Sequence, residues 1–194
     1  MSDDTFNILL IGNAAVGKTS LIKKFINNEY DPTSISTIGI EFFQKEIVIN
    51  NKNYPLKIMD SGGQERYHAI LPSYFRNVDG IIFVFDLTNN NSFESLTNWL
   101  KMADDNGEFK SILVGNKVDL KGIREVKEED INKFREKNSL EYFETSSKDG
   151  TNVNEIFRRI TELLINTELK RKDSIKITRN NNNNNNKDKK NKCC

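Results

Sequence analysis

The aliphatic run Ile8-Leu9-Leu10-Ile11 passes without a break into Gly12-Asn13-Ala14-Ala15-Val16-Gly17-Lys18-Thr19. An apolar run followed by the spacing G-x4-G-K-T admits few folds. A buried strand ends, the chain wraps round an anion, and a helix opens with its unpaired N–H groups aimed inward. Gly12 and Gly17 permit backbone angles that a side chain would forbid, so successive amides can form an anion nest. Lys18 supplies a point charge for β- and γ-phosphates, and the Thr19 hydroxyl can complete the shell of a Mg²⁺ ion. The helix-like Ser20-Leu21-Ile22-Lys23-Lys24-Phe25 that follows sets the segment apart from a chance turn. A nucleotide is the expected ligand of Gly12, Ala14, Ala15, Val16, Gly17, Lys18, Thr19 and Ser20.

At 194 residues the chain has room for one domain and a tail. No apolar stretch approaches the roughly 20 residues that span a bilayer. Met1-Ser2-Asp3-Asp4 is acidic and leads directly into the first strand, so no signal or transit peptide is expected, and Ser2 lacks the glycine that N-myristoylation needs. The net charge of +1 conceals a split: residues 170–194 carry a net +7, leaving residues 1–169 at −6. An acidic body with a basic tail argues against a nucleic-acid-binding domain, which would carry its basic patch on the folded part. Both cysteines, Cys193 and Cys194, are adjacent in the tail and make poor disulfide partners, which places the body in a reducing compartment.

Apolar segments alternate with helical spacing, the sign of a mostly parallel sheet covered on both faces. Strands are predicted over Asn7–Ile11, Glu41–Ile49, Tyr54–Asp60, Ile81–Asp86, Ile112–Asn116 and Glu141–Thr145. Helices are predicted over 18–27, 92–103, 127–138 and 153–168. The turn Asn50-Asn51-Lys52-Asn53 is too short for a crossover, so the second and third strands must be antiparallel. The expected domain is a three-layer α/β fold of six strands and about five helices over residues 1–169. Residues 170–194 lose all periodicity and contain an unbroken asparagine run, Asn180 to Asn186, as a polar tether would.

Open α/β sheets bind ligands at the C-terminal ends of their strands, and four further segments fall there. In Asp60-Ser61-Gly62-Gly63-Gln64, Asp60 can hold Mg²⁺ and Gly63 can offer an amide to a γ-phosphate. In Asn116-Lys117-Val118-Asp119, Asp119 can accept hydrogen bonds from guanine N1 and N2, a donor pair that adenine lacks. Ser146, Ser147 and Lys148 can present amides to the base oxygen. Thr37, before the second strand, can supply a second Mg²⁺-binding hydroxyl. Asp119 disfavours an ATPase or kinase.

With these motifs in this order and spacing, the chain resembles a small GTPase of the Ras superfamily. Ser36-Thr37-Ile38-Gly39-Ile40-Glu41-Phe42, Gln64-Glu65-Arg66-Tyr67, Tyr74-Phe75-Arg76 and the Cys-Cys pair resemble a Rab; Ras and Rho relatives usually end in C-a-a-X. The resemblance spans residues 6–169 and the tail, and implies the P-loop NTPase fold with a six-stranded, mostly parallel sheet. It implies that GTP and GDP bind with Mg²⁺ held by Thr19, Thr37 and Asp60, that Lys18 and Gln64 serve hydrolysis, and that Tyr30 lies against the guanine edge. For Tyr30 the alternative is packing beside Phe25. No arginine in the motifs is placed as a finger in cis, so turnover of about 10⁻⁴ s⁻¹ is expected without an activating protein.

The same resemblance implies an exchange factor, an activating protein, a GDP-dissociation inhibitor or escort protein, and effectors that read residues 32–42 and 62–78. It implies geranylgeranyl groups on Cys193 and Cys194 and residence on the cytoplasmic face of an intracellular membrane, with a cytosolic pool. A slow GTPase acting as a GTP-bound membrane scaffold is the alternative. Several positions depart from the family pattern. Met59 stands for the usual tryptophan in a trio with Phe42 and Tyr74 that effectors read, and Ser61-Gly62 for Thr-Ala. Ser34 occupies the place of a lid aromatic, and Ala14 puts a methyl near the attacking water. His68, Trp99 and the Glu125–Asp130 cluster are expected to be, respectively, solvated or partner-facing, packed, and the solvated first turn of a helix.

Overall fold

A computed structural model of the chain describes residues 5–32, 37, 39–62 and 71–169. Ser34, Gly63, Gln64, His68, the asparagine run, Cys193 and Cys194 therefore lie outside the described residues. Strand β1 (Phe6–Ile11) leads into helix α1 (Lys18–Asn27). Strands β2 (Ile40–Ile49) and β3 (Lys52–Ser61) form a hairpin. After the short helix α2 (Leu71–Phe75) come β4 (Gly80–Asp86), α3 (Asn90–Glu94), α4 (Leu96–Asp104) and β5 (Lys110–Asn116). Helix α5 (Glu128–Lys137), strand β6 (Glu141–Thr145) and helix α6 (residues 153–169) complete the chain.

The sheet runs β2-β3-β1-β4-β5-β6, with β2 antiparallel to β3 and every other pair parallel. The hairpin turn is tighter than the sequence suggests. Ile49 faces Lys52 and Val48 faces Asn53, so Lys52 and Asn53 belong to the strand and only Asn50-Asn51 turn. Both have positive φ, 51° and 61°, as a two-residue turn matched to strand twist requires, and asparagine tolerates that region. The single helix expected over 92–103 is two helices meeting at Ser95, and it starts early because the Asn89 side chain accepts from the Ser92 amide. Helix α2 was not anticipated; at five residues it is too short for periodicity to reveal.

Successive residues of a strand point to opposite faces, and here both faces are covered. Ile8, Leu10, Ile58, Ile82 and Val84 pack under Leu21, Ile22 and Phe25 of α1 and Phe157 and Ile160 of α6. Leu9, Ile11, Met59, Phe83 and Phe85 pack under Leu96, Trp99 and Ala103 of α4 and Ile131 of α5. The result is a three-layer α/β domain. Parallel pairing brings the ends of the strands level: Asp86 faces Asn116, and Asn116 faces Thr145. The candidate site residues gather along that edge. No helix among the described residues is long and apolar enough to cross a membrane.

Candidate functional site

Between β1 and α1 the chain makes a tight loop that two glycines allow. Gly12 has φ of 150°, and a Cβ there would run into the Val84 carbonyl; Gly17 has φ of 98°, and a Cβ there would meet the Asn116 side chain. Helix α1 starts at Gly17 with no side chain capping its first amides, so those donors stay open to an anion. Lys18 is buried, and its Nζ donates to the Gly12 and Asn13 carbonyls, both at 2.8 Å. Burial lowers its pKa to about 8, against the opposing pull of the Asp60 carboxylate.

Asp60 is fully buried at the end of β3. Its Oδ2 accepts from Thr19 Oγ1 at 2.5 Å and Thr37 Oγ1 at 3.3 Å, and the two hydroxyls lie 2.7 Å apart. Among the described residues its Oδ1 has no partner. Burial pushes its pKa up, partly offset by the Thr19 hydrogen bond. One carboxylate and two hydroxyls with an orphaned, desolvated oxygen suit a hard cation that keeps other oxygen ligands, which is the character of Mg²⁺. The residues present fit the ion.

The other end of the cleft is braced from within. Asn116 Nδ2 donates to the Val16 carbonyl at 2.9 Å and to Ser147 Oγ at 3.2 Å, while its Oδ1 accepts from Thr145 Oγ1 at 3.2 Å. Asn116 thus ties the phosphate loop to β5 and β6. Asp119 accepts from Ser146 Oγ at 2.8 Å, which orients the carboxylate. Lys117, at φ 68°, pairs with Asp86 at 2.6 Å. The amides of Ser146 and Lys148 are bonded to the Thr151 carbonyl and the Ser146 hydroxyl, which leaves Ser147 better placed to meet a base oxygen.

A cleft of about 490 Å³ joins the two ends. Ala14, Ala15, Gly17, Lys18, Thr19, Ser20, Tyr30, Thr37, Asn116, Lys117, Asp119, Ser147 and Lys148 line it, joined by Asp31, Pro32, Ser61 and Leu120, which sequence reasoning missed. Gly12, Val16, Asp60 and Ser146 lie behind that lining and shape it. Tyr30 is 42% exposed and lines the cleft, and Phe25 stacks on Phe157.

Other expectations are amended. Met59 is buried on β3, in register with Phe42 of β2. Phe42 is half exposed, 6.1 Å from the Tyr74 ring and with Lys57 Nζ 4.8 Å from its centroid. Gly62 N donates to the Gly39 carbonyl at 2.8 Å, extending the hairpin ladder between the two loops. Glu125 lies ahead of α5 and accepts from the Asn90 amide at 3.0 Å, at the start of α3, whereas Glu128, Glu129 and Asp130 form an exposed first turn. Trp99 is packed, as expected, but it also bonds Asn13.

Comparison with known proteins agrees with this geometry. The model of the Ras family matches residues 7–166. The chain is 40% identical over 157 residues to the Ras-related protein Rab-13 of Canis lupus familiaris, covering 80% of this chain and 77% of that one. It is 40% identical over 160 residues to the GTP-binding protein ypt3 of Schizosaccharomyces pombe (81% and 75% covered). To the Ras-related protein Rab-2B of Dictyostelium discoideum it is 39% identical over 165 residues, with 82% and 80% covered.

Proposed function

The chain belongs to the Ras family, as a Rab-like small GTPase of membrane trafficking, and from that premise we propose that it is a GTP- and Mg²⁺-dependent switch working from a lipid-anchored state. The observation that carries the reading is one continuous cleft with a cationic cradle at Lys18 and a carboxylate at Asp119. A guanine nucleotide is long enough to use both. Asp119 accepts from guanine N1 and N2 and leaves an adenine with no matching donors. Ser147 offers its amide to the base oxygen, and Tyr30 covers the edge of the ring.

At the other end Gly12, Ala14, Ala15, Val16 and Gly17 contribute backbone amides, Lys18 its charge, and Ser20 a further polar contact at the start of α1. Thr19, Thr37 and Asp60 would hold Mg²⁺, which when bound neutralises charge on the β- and γ-phosphate oxygens. Gln64 orients the water for in-line attack on the γ-phosphate, and Gly63 offers it an amide. Lys18 stabilises charge as the bond to the leaving oxygen breaks. Thr37 belongs to the first loop, so occupancy of this end decides whether that loop is held.

Residues 32–42 and 62–78 accordingly report the nucleotide to effectors, to an exchange factor and to an activating protein. Cys193 and Cys194, each carrying a geranylgeranyl group, hold the chain on the cytoplasmic face of an intracellular membrane, and a GDP-dissociation inhibitor or escort protein maintains the cytosolic pool. Two chains are what stable anchoring takes.

Single-turnover phosphate release from the GTP-loaded chain, beside Gln64→Leu, tests the reading. The expected result is slow release that Gln64→Leu lowers at least tenfold, as loss of a positioned water-orienting group does. Equal, negligible release by both would mark a GTP-bound scaffold instead, and tighter binding of ATP than GTP would overturn the guanine assignment.

A further inference from the structure

The chain contains a single tryptophan, and its indole reaches the phosphate loop. Trp99 projects from α4, 2% exposed, and Nε1 donates to Asn13 Oδ1 at 2.8 Å. Asn13 Nδ2 donates in turn to Ser95 Oγ at 3.0 Å, and Ser95 Oγ donates to the Asn91 carbonyl at 2.8 Å. The indole can only donate, so the amide must present its oxygen there and its nitrogen to the serine. A side-chain amide held at both ends has one orientation. The carbonyl of that same residue is one of the two that receive Lys18 Nζ.

We propose that Trp99 and Ser95 are positioning residues for the phosphate loop: they clamp Asn13 so that its carbonyl holds the Lys18 ammonium in place, and so couple α3 and α4 to the terminal phosphates of the nucleotide. The proposal rests on the nucleotide reading above. It follows from the geometry that the clamp acts on phosphates alone. The hydrogen bonds of Asn13 run to Ser95, Trp99 and Lys18, so the path from Trp99 leads to Lys18, whose reach is to the β- and γ-phosphates. It follows too that α4 feels the site directly, since movement of the loop must either carry the indole with it or break the bond.

The test compares GDP with GMP, which lacks the β-phosphate, on the full-length chain in Mg²⁺ by calorimetric titration. Asn13→Ala removes both bonds, and Trp99→Phe keeps the buried ring but loses the donor. Both are expected to weaken GDP about three- to thirtyfold, the range for one or two neutral hydrogen bonds, and to leave GMP affinity unchanged. Ser95→Ala should weaken GDP in the same sense, and Ser95→Thr, which keeps the hydroxyl, should restore it. The sole tryptophan supplies a second readout: emission of the wild-type chain changes when GDP is removed, and the change is lost in Asn13→Ala.

Parallel weakening of GDP and GMP would reveal a general folding defect and overturn the clamp. Wild-type GDP affinity in both Asn13→Ala and Trp99→Phe would overturn it as well. Failure of the wild-type chain to bind GDP would overturn the nucleotide reading and this one with it, so the two failures are distinguishable.

Discussion

Asp60 carries a desolvated oxygen with no partner among the described residues, and two hydroxyls crowd the other. In the absence of a cation that arrangement costs free energy, because a carboxylate deprived of water needs a compensating charge or donor. Asp60→Asn should therefore leave the thermal stability of the nucleotide-free chain equal or higher. It should also weaken GDP retention in Mg²⁺ by about tenfold to a hundredfold, the scale of one charge-assisted contact. Stopped-flow release of a fluorescent GDP checks this. Chelating Mg²⁺ should speed release from the wild type and do little to the variant; equal sensitivity to chelation would refute the assignment. Lys18, Asp60 and Asp119 were legible in the sequence as candidates because each carries a charge within a motif of recognisable spacing, and the structure places all three at the cleft or just behind its lining. The bracing hydrogen bonds of Asn116 and Trp99 were not. Asn116 stands in a recognisable motif, yet its amide is used to staple Val16 to β6. Helical spacing places Trp99 in the core, but nothing in the spacing reveals a hydrogen bond to a loop 86 residues away.

At the scale of elements, strands were read well because a buried parallel strand must be apolar on both faces, and β1, β4 and β5 are. Boundaries failed where local chemistry competed with periodicity, at the Asn50-Asn51 turn and at the Asn89 cap. One contact between elements makes a pH prediction. Arg159 of α6 grips Glu141 of β6 with two bonds, Nε to Oε2 and Nη2 to Oε1, both at 2.6 Å. The guanidinium holds the Glu141 carboxyl below its ordinary value of 4.5. A depressed carboxylate contributes stability that is present above the unfolded value and lost as pH falls through the folded one. Both side chains are partly exposed, so the contribution is about 0.5–1 kcal/mol. Glu141→Gln should therefore be less stable than wild type by that amount in urea at pH 7, with the gap closing below pH 4.5. A gap that stayed constant down to pH 3 would assign the effect to packing.

Across the whole molecule, the cleft and the later turns of helix α6 lie at opposite ends of the sheet. Helix α6 begins just after the Ser146–Gly150 loop and runs about 25 Å at 1.5 Å per residue. Its Ile160 and Leu164 lie against Gly80, the first residue of β4, at the end of the sheet away from the cleft. The body carries −6 and the tail +7, so an anionic bilayer attracts the tail and repels the domain. Each lysine near the surface adds at most about 1 kcal/mol and is screened by salt, whereas two buried lipid chains are not. If Cys193 and Cys194 carry lipids as proposed, the lipids should decide attachment and tail length should matter little. Deleting Asn180–Asn186 shortens the reach by about 25 Å at most, which leaves a tether of eighteen residues. Fractionation of the tagged chain from cells should find wild type and the deletion on the same membrane, resistant to a high-salt wash. The double variant Cys193→Ser, Cys194→Ser should be in the soluble fraction. Release of the deletion variant would show that the asparagines set a required length, and retention of the double serine variant would mean that something other than lipid holds the chain.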